Sequence, residues 1–111
     1  MIKRFLAVIF LVGACAAVQA QELERAVPVR TVAPEYPADL KRQGVTGLVM
    51  VTFTVTTQGN VENPVVERSP HPDFAREAVA AVRKWKFRPA RQNGEPVEHK
   101  VTVPIQFRIE E

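Results

Sequence analysis

Between Gly47 and Thr57 apolar and polar positions alternate without interruption. Val49, Val51, Phe53 and Val55 fall on one side, and Met50, Thr52, Thr54 and Thr56 on the other. A period of two carried by β-branched residues predicts a strand. The threonine-rich second side predicts a sheet covered on one face only. Gln58-Gly59-Asn60 offers residues that tolerate the positive φ of a hairpin turn, so Val61–Arg68 is expected to return beside the first strand. Pro64 lacks a ladder donor, which places that strand at an edge or bulges it. The alternation resumes at His99, Val101, Val103, Ile105, Phe107 and Ile109 against Lys100, Thr102, Pro104, Gln106, Arg108 and Glu110, predicting a long third strand.

Helical spacing occurs twice. Pro37 suits the first position of a short helix over Pro37–Gln43, where its missing N–H is not needed, and Gly44 and Gly47 release the chain. From Asp73 to Lys84, the residues Phe74, Ala78, Ala81, Val82 and Trp85 share one stripe, with Asp73 as cap or first-turn acid. Pro89 forbids continuation, and Asn93-Gly94 marks a turn. Gln21–Ala33 has no helical period and reads as an extended lead-in to Pro34-Glu35-Tyr36-Pro37, whose prolines push Ala33 and Tyr36 toward extended geometry. The order helix, strand, strand, helix, strand predicts an α+β fold: a three-stranded antiparallel-type sheet with two helices on one face. A crossover from strand two to strand three over a central strand one leaves strand three at an edge, with a row of unpaired backbone donors and acceptors.

The first twenty residues read differently. Lys3 and Arg4 precede an apolar run from Phe5 to Val18, and Val18-Gln19-Ala20 presents small or short residues at −3 and −1 of a cleavage site. The run is shorter than the roughly 20 residues of a membrane-spanning helix. Residues 1–20 are therefore expected to be a signal peptide, residues 21–33 the lead-in and residues 34–111 the domain. A second route is lipidation at Cys15, because Val12-Gly13-Ala14-Cys15 resembles a bacterial lipobox. A third is retention as an inner-membrane anchor facing the periplasm. All three place the domain outside the cytoplasm.

Composition narrows the chemistry. Of 111 residues, removal of the first 20 leaves 91, enough for one small core. Of 15 basic side chains, Lys3 and Arg4 go with the leader; 13 remain against 12 acidic ones, so the formal charge falls from +3 to near +1. That removes the electrostatic case for nucleic acid, and the cluster Arg83, Lys84, Lys86, Arg88 and Arg91 reads as solvated cations near a helix C-terminus. One cysteine excludes an intrachain disulfide, and two histidines without a cysteine after Ala20 argue against a metal site. Ser69, His71 and Asp73 lie close in sequence, but two prolines separate them and nothing suggests a positioned base and nucleophile. No enzyme, cofactor or metal is expected. Trp85 and Phe87 are expected in the core, and Tyr36 there too with its hydroxyl at the rim.

Five motifs in order resemble the TonB C-terminal domain family. They are the entry Pro34, Tyr36 and Pro37; the strand at Gly47, Val49, Val51, Phe53, Val55, Gly59 and Val61; the helix exit Trp85, Phe87, Pro89 and Ala90; the turn Gly94, Pro96 and Val97; and the close Pro104, Ile105 and Phe107. The resemblance spans about Pro34 to Ile109. It implies a grip rather than a catalyst: an edge strand pairs with a short extended segment of a TonB-dependent outer-membrane receptor, and force passes through the pairing in energy-coupled transport. By carry-over, the partner-binding residues are Val101, Thr102, Val103, Ile105, Gln106 and Phe107 on the third strand, with Pro34, Glu35, Tyr36 and Pro37 nearby.

Glu35 stands where the family commonly has glutamine. The family's transmembrane helix carries a histidine facing an ExbB/ExbD motor, followed by a proline-rich spacer. Here no histidine precedes His71, and Gln21–Ala33 reaches at most roughly 45 Å. A motor partner is expected only if the N-terminus is retained; another envelope protein, or self-association of the domain into a homodimer through the same edge, is the alternative to force transduction. Cleavage after Ala20 predicts an intact mass beginning at Gln21 for protein recovered from its native envelope. A mass that includes an acylated Cys15, or the whole N-terminus, selects one of the other two routes.

Overall fold

The computed structural model describes residues 22–109; Cys15 and the cleavage motif ending at Ala20 lie outside the described residues. The chain runs β1 (Leu23–Glu24), β2 (Val27–Arg30), α1 (Ala38–Arg42), β3 (Gly47–Val55), β4 (Val61–Arg68), α2 (Pro72–Val82), β5 (Lys86–Arg88), β6 (Ala90–Gln92), β7 (Glu95–Val97) and β8 (His99–Phe107). The expected α+β architecture is present. Its main sheet is antiparallel in the order β4-β3-β8, so the β4–α2–β8 connection crosses the central β3 and leaves both β4 and β8 as edges.

The alternation in β3 becomes a one-sided core. Val49, Val51, Phe53 and Val55 are buried against Leu40 of α1, the Phe74, Ala78 and Val82 stripe of α2, Phe87, Ile105 and Phe107. Met50, Thr52 and Thr54 line the half-exposed opposite face. Pro64 acts as its chemistry requires. Thr52 pairs with Val65 and Thr54 with Glu62, so Asn63 and Pro64 together oppose Phe53, and Asn63 takes φ of 53°. A second extra residue, Glu67, sits between the pairs Val51–Val66 and Met50–Arg68. β4 is thus an edge and bulged twice. β8 differs: nine consecutive pairs, from Gly47–Phe107 to Val55–His99, run without a register shift.

Two expectations change in detail. Helix α2 starts at Pro72, and His71 is its cap, its Nδ1 accepting from the Asp73 N–H at 3.2 Å. Ser69 Oγ donates to the His71 carbonyl at 2.7 Å. Asp73 is therefore the first-turn acid; Arg76 donates to it at 2.8 Å, and this carboxylate pushes the guanidinium pKa further up. The serine, histidine and aspartate that lie close in sequence together build a helix start.

The lead-in is extended as expected but is not a bare arm: β1 pairs with β6, and β2 pairs with β5. The expected Asn93-Gly94 turn joins β6 to β7, with φ of 53° and 84° at the two residues. Lys86 and Arg88 consequently belong to β5 and Arg91 to β6, and only Arg83 and Lys84 flank the helix C-terminus. Lys86 donates to Asn60 Oδ1, and Arg91 to the Gly94 carbonyl at 3.0 Å.

The β3–β4 turn is tied to this ribbon. Gly59 has φ of 85°, its carbonyl accepts from the Phe87 N–H at 2.9 Å, and a Cβ there would lie 2.0 Å from the Phe87 carbonyl oxygen. Replacement has to strain the backbone and break the contact with β5 at once. Gly59→Ala is expected to destabilise the fold by more than about 2 kcal/mol in urea unfolding, against less than about 0.5 kcal/mol for Gln58→Ala in the same turn.

Candidate strand-pairing edge

β8 carries the candidate site, and its nine-pair ladder fixes which way each residue faces. Pro104 has no N–H, so it sits in an unbroken ladder only where the donor position points away from β3. Residues two apart point the same way, so Lys100, Thr102 and Gln106 also turn their N–H and C=O groups outward. The pair Thr52–Thr102 agrees. Their hydroxyls hydrogen-bond at 2.7 Å, a closeness that belongs to pairs not bonded through the backbone. Among the described residues nothing pairs with this outer flank.

The predicted residues of the strand therefore divide. Val101, Val103, Ile105 and Phe107 turn their side chains toward the core and their backbone groups toward β3. Thr102 and Gln106 present backbone on the flank and side chains on the exposed face; Gln106 Nε2 also donates to the Gly47 carbonyl at 3.1 Å. Lys100 and Pro104 share that flank and stand outside the partner-binding residues carried over from the family. The phase marker was Pro104 itself.

The entry segment meets the other end of β8. Tyr36 packs edge-on against Phe74 (centroids 5.7 Å apart) and Phe107 (5.6 Å), and those two rings stack at 4.4 Å. The Tyr36 hydroxyl donates to the Val45 carbonyl. Tyr36 is thus a core residue with its polar tip satisfied at the rim, while Glu35 is exposed and Pro34 and Pro37 are half-buried. A cleft of about 320 Å³ lies between this segment and α2, with Glu35, Glu77 and Lys84 among its walls. Above it, Trp85 Nε1 donates to the Val32 carbonyl at 2.9 Å, fastening the end of the lead-in to the helix exit.

Comparison with known proteins points one way. Residues 32–109 match the family described as Gram-negative bacterial TonB protein C-terminal. The chain is 40% identical over 77 residues to Protein TonB of Xanthomonas campestris, covering 68% of this chain and 34% of that protein. It is 36% identical over 84 residues to Protein TonB of Pseudomonas aeruginosa, covering 75% of this chain and 25% of that one. The chain thus spans only about a quarter to a third of the length of these relatives. The solution NMR structure of the Pseudomonas aeruginosa TonB CTD superposes with a TM-score of 0.66 at 35% identity, covering 78% of this chain and 88% of that one.

Removing the Tyr36 hydroxyl leaves the three-ring cluster in place but strands the Val45 carbonyl. Tyr36→Phe is expected to cost about 1–2 kcal/mol in chemical unfolding, and Phe74→Ala about 3–5 kcal/mol. Equal losses from the two would contradict the assignment of the rings as the main contributors.

Proposed function

The chain belongs to the Gram-negative bacterial TonB protein C-terminal family, and we propose that it works as a periplasmic binding domain that adds an extended segment of a TonB-dependent outer-membrane receptor, or of another envelope protein, to the outer flank of β8. The observation that supports this is the contrast between the two edges. β8 runs nine pairs without a register shift and, among the described residues, has no strand on its outer flank, whereas β4 is bulged twice and carries Pro64. A regular row of donors and acceptors is what strand addition needs, and a bulged edge resists it. The role is mechanical coupling in energy-dependent transport, without catalysis.

Pairing through main-chain groups also suits this role because affinity then depends on the partner's backbone more than on its side chains. Lys100, Thr102 and Gln106 would supply donors and acceptors, and Pro104 an acceptor only. Engagement of an ExbB/ExbD-type motor requires the apolar N-terminal segment to be retained. Processing after Ala20 or lipidation at Cys15 would instead make the domain an accessory module. The same open flank supports a second reading, in which two copies pair β8 with β8.

Titration of isotope-labelled protein with N-terminal segments of TonB-dependent receptors tests the reading. The amides of Lys100, Thr102 and Gln106 are expected to shift more than those of Val101, Val103 and Ile105. Thr102→Pro, which removes one outward donor and no ladder bond, is expected to weaken binding about fivefold. Shifts confined to residues 61–68, or none at any receptor segment, would sink receptor pairing through β8. A dimer in sedimentation that persists against excess peptide favours the self-pairing reading.

A further inference from the structure

The ribbon of β2 and β5 carries three cations, Arg30, Lys86 and Arg88, and no acid. Lys86 and Arg88 flank the buried Phe87, so both point away from the core. Arg30 lies directly across from Lys86, and Val27 from Arg88, which puts all four side chains on the outer face. A like-charged cross-strand pair costs stability, and no carboxylate in either strand offsets this one. Among the described residues none of the three cations is in an ion pair, and the hydrogen bond that Lys86 donates goes to the neutral Asn60 amide oxygen. Apolar side chains stand among them. Val27 is 43% exposed, and Val29, the extra residue between Pro28 and Arg30, is 63% exposed. Arg83 and Lys84, which precede β5 at the end of α2, are exposed cations as well.

We propose that this outer face docks on an anionic phospholipid surface. Arg30, Lys86 and Arg88 meet headgroup phosphates, while Val27 and Val29 sit at the boundary between headgroups and acyl chains. The valines favour a bilayer over a free polyanion, because a soluble polyanion offers them no apolar layer to enter. Chain length points the same way. Eight residues, 19–26, separate Val27 from the apolar run that ends at Val18, and fully stretched they reach roughly 30 Å. A retained run therefore delivers the ribbon to the bilayer, and acylation at Cys15 lengthens that tether only by residues 16–18. Cleavage after Ala20 leaves the ribbon to act alone. The face shares no residue with the outer flank of β8, so the inference stands apart from strand addition.

The full chain is mixed with phosphatidylcholine vesicles, with or without about 30% phosphatidylglycerol, and the bound fraction is read by flotation. At about 0.1 M salt the anionic vesicles are expected to bind about tenfold more tightly, and at about 0.5 M the two kinds approach equality. The apolar run adds affinity for both kinds, and Lys3→Gln with Arg4→Gln, which removes its charge, is expected to leave most of the preference. Arg88→Gln is expected to lower the preference about fivefold, and Arg30→Glu with Arg88→Glu to abolish it, with the β3 amide spectrum intact. In anionic bicelles carrying a headgroup spin label, the amides of residues 27–30 and 86–88 are expected to broaden before those of β4. Equal binding to both vesicle kinds overturns the proposal. So does a preference that survives Arg30→Glu with Arg88→Glu, or one that disappears with Lys3→Gln and Arg4→Gln. Inorganic polyphosphate shifting the same amides without any vesicle preference would also overturn it, in favour of a soluble polyanion.

Discussion

The antiparallel ladder between β3 and β8 is the constraint on which the rest of the molecule depends. Nine pairs in register do more than hold two strands together. They lock the phase of β8, so that one alternating set of residues is spent on the core and on β3 while the other set is left for the outside. A slip of one residue would turn Val101, Val103, Ile105 and Phe107 to solvent and exchange the two sets of backbone groups as well. Pro104 sharpens this choice, because in the slipped phase its ring would stand where β3 needs a donor. The same residue that reads as damage to an edge is therefore part of what selects the edge's phase.

The ends of that ladder are held by different means. At Phe107 the three rings of Tyr36, Phe74 and Phe107 bring the entry segment, α2 and β8 to one point. Burying them against one another contributes dispersion and apolar burial together, with edge-on geometry adding to each contact. At His99 the strand leaves the β6–β7 hairpin, which is itself braced by β1. Gly59 links the two regions, since the β3–β4 turn reaches β5 only because no side chain stands between its backbone and that of Phe87. The lead-in is thereby stitched to the domain through β5, β6 and the Trp85 indole rather than hanging from it.

How much of this could be read from the chain follows from period and length. The Val/Thr alternation of β3, the long β8 (which ends at Phe107, short of the expected Glu110), the edge or bulge at Pro64 and the Asn93-Gly94 turn were all legible, because each rests on a long or specific local pattern. Strands β1, β2 and β5 to β7 were not, for they have two to four residues each, too few to show a period. Their partners also lie far away in sequence, with Val27 across from Arg88. His71 as a cap was hidden because its ring nitrogen does what serine or aspartate usually does, and Asp73 nearby was the stronger local signal. For the site, the strand was legible and its division was not. A list of residues from Val101 to Phe107 mixes both phases, and only the paired register separates the inward set from the outward one.

The two edges of the sheet illustrate why a pairing surface needs protection as well as opportunity. Every open sheet has two flanks, and a domain that left both regular would add copies of itself from either side. Here the bulges of β4 twist one flank out of use, and exposed charges at Glu62, Glu67 and Arg68 flank what remains. β8 cannot be blunted in the same way without losing the row of groups that a partner would use. Its single proline is the compromise: it deletes one donor midway and leaves Lys100 and Thr102 on one side and Gln106 on the other. An edge interrupted in that manner binds an incoming strand through two short stretches rather than one long one. The energy of such pairing would fall well short of the self-templating stacks that a continuous flat edge invites, and release would remain accessible, as the proposed coupling role requires.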